Sequence, residues 1–221
     1  SLEVRRYDSP VPYPDAYAEQ LRIRDAVAKG ERANSLLLLE HTPLFTLGRN
    51  AHEEHLLMDP ARLPSLGVDV QHVDRGGDIT YHGPGQLVAY PILNLRHWEC
   101  SVSWYLRMLE DVLIELLRSY GIRGERHRGF TGVWIDGAKI AAVGVGIRDW
   151  ISYHGISLNV APNMEHWRMI VPCGIPDKPV TSLRLLLGDD CPTFKRVRDE
   201  FERQFRAAFQ LSDLKDSRTG G

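Results

Sequence analysis

The stretch GVWIDGAKIAAVGVGI, residues 132–147, restricts the fold more than any other part of the chain. Asp136-Gly137 lies between two β-rich runs, and an Asp-Gly pair in that position marks a two-residue hairpin turn with positive φ at both centres. The flanking runs are therefore antiparallel neighbours. Similar β-rich runs recur as LEVRRYD, SLLLLEH and PLFTLGR (divided at Thr42-Pro43), VDVQHVDR, QLVAYPILNL, and SYHGISLNV after Trp150.

Longer segments carry helical spacing instead. Tyr13 to Lys29 reads as an amphipathic helix closed by Gly30. Ser101 or Ser103 caps another running to Tyr120, with Val102, Leu106, Leu109, Leu113 and Leu116 or Leu117 at helical spacing. Thr193 to Phe209 reads as helix, and Pro162 to Pro179 as turns. Hairpin signals outnumber strand–helix–strand alternation. The predicted fold is α+β: a mixed, largely antiparallel sheet flanked by helices, with the helices packed on one side. A single domain is expected over residues 1–211, followed by a polar tail over 212–221.

Hydrophobic content of 43% and charged content of 25% are ordinary for a globular chain of 221 residues. A net charge of -2 gives no electrostatic footprint for nucleic acid or an anionic membrane. No apolar run has the length of a membrane span, and SLEVRRYDSP has no signal-peptide core. Cys100, Cys173 and Cys191 form no C-x-x-C pair, which fits a reduced, cytoplasmic protein.

A second stretch, RGGDITYHGPGQ (Arg75 to Gln86), breaks the backbone on both sides of a strand-like ITYH. Such glycine clusters serve a bulged hairpin, or they remove the Cβ atoms that would keep a ligand from the backbone. Lys139 follows the hairpin turn, in a chain with only five lysines. Strict alternation puts it on the face of Ala141, Val143, Val145 and Ile147. It is either a strand-end lysine reaching water or a partly desolvated amine able to act as a base.

Cys173, in VPCGIPDKP, is either a buried small hydrophobe or a nucleophile held as thiolate by a neighbouring cation or base. The sequence leaves open whether Lys139 or a histidine is that neighbour. His82 and His154 each follow a tyrosine and precede a glycine, but no Cys or acidic cluster has metal-ligand spacing. His52 and His55 read as a solvated surface run. GVWIDGAKI lacks the hydroxyl of a phosphate loop, GPGQLV lacks the third glycine of a dinucleotide fingerprint, and no G-x-S-x-G elbow is present.

Taken together, RGGDITYHGPGQ, GVWIDGAKIAAVGV, HGISLNV and VPCGI resemble the lipoyl(octanoyl) transferase family, in the family's order and over most of the chain. The resemblance implies the biotin/lipoate protein ligase-like catalytic fold and an acyltransferase that needs neither cofactor nor metal. It implies Cys173 as the acyl-thioester nucleophile and Lys139 as the residue that activates it. It places acyl binding at Arg75, Gly76, Gly77, Asp78, Ile79, Thr80, Tyr81 and His82, at Ala142, Val143 and Gly144, and at Gly155, Ile156 and Ser157. His82 and nearby N–H groups are expected to orient or polarise the carbonyl. Asp78 departs from the glutamine common in the family.

The implied donor is octanoyl-acyl carrier protein. The implied acceptors are lipoyl domains of 2-oxoacid dehydrogenase complexes and the glycine cleavage H protein. An acidic carrier calls for a basic patch, and Arg49, Arg126, Arg128 and Arg148 are the candidates. Two other readings remain open: an ATP-dependent lipoate- or biotin-protein ligase of the same fold, and a catalytically dead acyl- or carrier-binding module.

Overall fold

Strands β1 (Leu2–Arg6) and β2 (Asn34–Leu39) pair in parallel and are joined by helix α1 (Tyr13–Ala28). Parallel neighbours need a crossover of this length, and the helix provides it. Gly30, at φ 72°, follows α1 in the left-handed conformation that glycine adopts without steric cost. The structure, a computed structural model, describes residues 1–172 and 179–212.

Three short strands, β3 (Leu44–Leu47), β4 (Asp69–His72) and β5 (Ile79–His82), form a small sheet in the order β4-β3-β5. The main sheet continues with β6 (Gln86–Ile92), β7 (Val133–Ile135), β8 (Ala138–Arg148) and β9 (Ile151–Asn159), in the order β1-β2-β6-β9-β8-β7. Asp136 and Gly137 have φ of 47° and 83° between the paired residues Ile135 and Ala138, the hairpin that the sequence signals. Asp149 and Trp150, at φ 50° and 61°, make an equivalent turn between Arg148 and Ile151 without a glycine. No sequence pattern marks that second turn.

Helix α2 (Val102–Ser119) is capped by Ser101, whose Oγ accepts the N–H of Trp104 at 3.2 Å. Its buried stripe is Tyr105, Leu109, Val112, Leu113, Leu116 and Leu117, while Val102 is exposed. Two short helices, α3 (Met164–Trp167) and α4 (Leu183–Leu187), precede α5 (Phe194–Phe209), which is capped by Thr193. So a helical turn stands where only turns were expected, at 164–167.

The helices do not lie on one side. Leu36, Leu38, Leu87 and Ala89 pack with residues of α2 and α5. Leu37, Leu39, Val88 and Tyr90 pack with Ala16, Ile23 and Val27 of α1 on the opposite face. The cause is visible in β2: a run of four leucines is apolar on both faces, and each face must be covered. A third core joins Phe45, Leu47, Ile79 and Tyr81 of the small sheet to Trp167 and Ile170. Among the described residues, no helix is long and apolar enough to cross a membrane.

Candidate active site

Between the two sheets a cleft of about 370 Å³ opens, lined by β3, β5, β6, β8, β9, Tyr13 of α1 and three loops, at Asn50, Arg75 to Asp78 and Gly129 to Thr131. That volume falls within the range of small-molecule sites, roughly 300–1,000 Å³. Its lining includes Arg75, Gly76, Gly77, Asp78, Thr80, His82, Lys139, Ala142, Val143, Gly144, Gly155, Ile156 and Ser157. Ile79 and Tyr81 do not line it. Alternation along β5 turns them away into the third core, where the Tyr81 hydroxyl meets His166 Nδ1 at 2.8 Å. Cys173 lies outside the described residues.

Lys139 reaches the cleft because β8 breaks its alternation. Trp134 pairs with Lys139, but Val133 pairs with Ala141, so Ile140 is an extra residue in a β-bulge. Ile140 and Ala141 both enter the core with Val143 and Val145. Lys139 is thereby separated from the apolar face predicted for it and lies with Ala142 and Gly144 on the cleft wall. It is only 8% exposed, so it is not a strand-end lysine reaching water. Its Nζ stands 4.9 Å from the Trp134 ring centroid, a cation–π contact. Its backbone N–H donates to Pro179 O at 2.9 Å and its carbonyl accepts from Thr181 N at 2.8 Å. Pro179 to Thr181 therefore lie against Lys139.

The Arg75 guanidinium organises its own loop. Nη2 donates to Thr46 O and Thr46 Oγ1, both at 2.8 Å, and to Asp78 O at 2.9 Å, while Nη1 donates to Gly76 O at 2.9 Å. Gly76 N donates to Val145 O at 3.1 Å, docking the loop on β8 where β7 no longer pairs. Asp78 ties this loop to the preceding one: its carboxylate accepts from His55 Nδ1 at 2.7 Å and from Ile79 N at 2.7 Å. His55 is thus an anchor and not part of a solvated run. The other glycine cluster has a different purpose. A Cβ at Gly83 would stand 2.0 Å from the Tyr81 hydroxyl, and one at Gly85 would stand 2.2 Å from Ala161 O, so these glycines permit packing and turning, not ligand approach.

Several lining groups had no sequence signal: Tyr13, Thr46, Asn50, Tyr90 and Phe130. The hydroxyls of Tyr13 and Thr80 are buried and make no hydrogen bond within the described structure. Behind the wall, His41 Nδ1 donates to Val11 O at 2.8 Å and its Nε2 accepts from the Tyr90 hydroxyl at 2.6 Å. His154 sits at φ 56°, a strained backbone for a non-glycine residue, with Nε2 2.7 Å from Asp74 Oδ1. The Tyr153 hydroxyl donates to the same carboxylate at 2.7 Å, and the His154 and Tyr153 hydrogen bonds hold Asp74 far below the usual carboxylate range.

Burial holds the imidazoles neutral. His41 is lowered to about 4, His82 is well below its ordinary value, and His154 is lowered despite Asp74. Unfolded histidines titrate near 6.5, so below that pH the unfolded chain binds protons that the folded chain excludes. The sign follows: stability is intact above about pH 6.5 and is lost as pH falls toward 4. At pH 5 each fully excluded proton costs about 2 kcal/mol. Thermal melts should therefore show Tm falling steadily from pH 7 to pH 5, and a flat Tm would contradict neutral buried rings.

Among the described residues no group of three or more His, Cys, Asp or Glu is placed to hold a metal ion. Of the arginines considered for a basic patch, Arg126 is already paired with Glu110 at 3.3 Å and with Asp111.

The family model for the lipoyl protein ligase A/B catalytic domain matches residues 12–206. An octanoyltransferase of Thermosynechococcus vestitus is 46% identical over 202 residues, covering 91% of this chain and 87% of its own. The chain belongs to the octanoyltransferase family. The Clostridium kluyveri octanoyltransferase is 38% identical over 213 residues, covering 96% of this chain and 91% of its own. The chain also shares its fold with a lipoate-protein ligase A whose structure was determined with ATP, at a TM-score of 0.76, 14% identity, and coverage of 98% and 90%. A biotin protein ligase of Aquifex aeolicus superposes with a TM-score of 0.52 at 15% identity, over 95% of this chain and 69% of that one. The chain is an acyltransferase that moves octanoyl groups in protein lipoylation.

Proposed function

We propose that this acyltransferase works in two steps through Cys173. The donor is octanoyl-acyl carrier protein, and the acceptor is the ε-amine of a lysine on lipoyl domains of 2-oxoacid dehydrogenase complexes and on the glycine cleavage H protein. One observation carries the reading: a buried lysine on the wall of an acyl-sized cleft, with its backbone bonded to Pro179, six residues beyond Cys173.

In the first step Lys139 takes the Cys173 thiol proton, and its ammonium stabilises the thiolate. The thiolate attacks the donor thioester, a new C–S bond forms, and the carrier thiolate leaves with the proton returned by Lys139. The octanoyl chain lies along the cleft wall formed by Ala142, Val143, Gly144 and Ile156. In the second step the acceptor amine attacks the S-octanoyl carbonyl, and an amide replaces the thioester. Thioester exchange is nearly balanced and amide formation is downhill, so nucleotide hydrolysis has no place in the scheme.

The ligase reading makes the opposite demand. Octanoyl-acyl carrier protein and a lipoyl domain, mixed with the purified chain, should give octanoylated domain at the same rate with and without ATP. Modification that starts from free octanoate and strictly requires ATP would overturn the proposal in favour of a ligase.

A further inference from the structure

A chain of hydrogen bonds fixes how His82 presents its ring to the cleft. Gln86 Nε2 donates to Tyr81 O at 2.9 Å and to Asn159 Oδ1 at 3.0 Å, which orients the amide so that Oε1 is the acceptor. His82 Nδ1 lies 2.7 Å from that oxygen and is therefore the protonated nitrogen. Nε2 is left with a lone pair, on a side chain that lines the same cleft as Lys139. Asn159 Nδ2 donates in turn to Thr181 O at 3.1 Å, and Thr181 N to Lys139 O at 2.8 Å, so one hydrogen-bond network joins His82 to the Lys139 backbone. In this tautomer a neutral His82 has no Nε2 proton to offer a carbonyl oxygen.

A lone pair on a cleft wall calls for a substrate hydrogen. Two groups bring one: the thiol of Cys173 in the first step and the acceptor amine in the second. Accepting the thiol proton would leave an imidazolium, which burial opposes, and the guanidinium of Arg75 opposes it further. Holding an amine N–H requires only a neutral acceptor. We propose that His82 Nε2 receives the N–H of the attacking amine in the second step and aims the amine lone pair at the acyl carbon. This rests on the two-step transfer set out above. The C–N bond forms as the C–S bond breaks, and the proton that nitrogen loses ends on the departing Cys173 sulfur, which regenerates the thiol.

The test separates the half-reactions. S-octanoyl enzyme is formed with octanoyl-acyl carrier protein, mixed with a lipoyl domain, and followed by intact mass in single turnover. In His82→Ala, release of the acyl group to the amine should slow about 100-fold, at least tenfold more than acylation slows. Gln86→Leu, which frees the tautomer without touching substrate, should slow release about tenfold. Retained acylation shows that each variant folds. Acylation slowed as much as release, or release at the wild-type rate in His82→Ala, overturns the proposal. A wild-type enzyme that never acylates Cys173 refutes the two-step transfer itself and is recognised before any variant is made. Nitrogen-15 histidine spectra of the wild type test the tautomer independently. Nδ1 should carry the proton and Nε2 none from pH 6 to pH 8, and the reverse assignment overturns the proposal.

Discussion

Lys139→Met should lower octanoyl transfer by about 10²- to 10⁴-fold, the range for loss of a positioned acid–base group, while the protein stays folded. Methionine keeps the apolar stem that crosses the cleft wall and removes the ammonium. The contact with Trp134 at 4.9 Å that the substitution gives up contributes about 0.5–1 kcal/mol. Iodoacetamide alkylation of Cys173 should fall alongside transfer at mildly acidic pH, since the same charge supports the thiolate. A transfer rate within threefold of wild type would remove Lys139 from the chemistry and leave it a packing residue. Turnover lost with the fold intact also rejects the reading of the chain as a catalytically dead binding module.

Gly155→Val tests the site through its scaffold. A Cβ there would stand 2.2 Å from Ala89 O and 2.7 Å from Pro91 Cδ, so it meets the neighbouring strand and not a side chain able to swing aside. Forcing β9 from β6 should cost about 3 kcal/mol. In a chain of this size that is roughly 6–12 °C in Tm, and cleft geometry should be lost with it. Gly30→Ala is the control. Its Cβ meets nothing within 4 Å, and only the left-handed φ of 72° is strained, for about 1 kcal/mol. Equal losses in the two variants would show that close approach at Gly155 is not what the position requires.

The hairpin at Asp136-Gly137, a serine cap at Ser101 or Ser103 and the glycine after α1 were legible, because each is a local rule in which one residue type satisfies one backbone need. Lys139 was legible as a candidate and misplaced as geometry. Alternation assigns it to the core face, and only the extra residue at Ile140 moves it to the cleft. A bulge depends on how two strands register, which the spacing of one strand does not contain. The one-sided helix layer failed for a related reason: the leucines of β2 signal burial on both faces, yet hairpin counting weighs connections alone.

His41, Gln86 and Asn159 were invisible as site residues for a third reason. Their positions follow from pairing between strands distant in sequence, as in Gln86 against Asn159, and nothing local marks such a pair. The glycines of RGGDITYHGPGQ divide similarly. Gly76 and Gly77 face the cleft, but Gly83 and Gly85 answer to Tyr81 and Ala161, so one motif joins a ligand wall to a packing joint.

Covalent catalysis through Cys173 is the claim on which the rest depends, and intact-mass analysis with peptide mapping tests it most directly. Purified enzyme mixed with octanoyl-acyl carrier protein, without ATP or acceptor, should gain the mass of a single octanoyl group, mapped to Cys173 and absent in Cys173→Ala. Adding a lipoyl domain should clear the adduct as the domain gains the same mass. An adduct on Cys100 or Cys191, an adduct that survives in Cys173→Ala, or transfer to the domain by a Cys173→Ala enzyme at the wild-type rate would contradict the account.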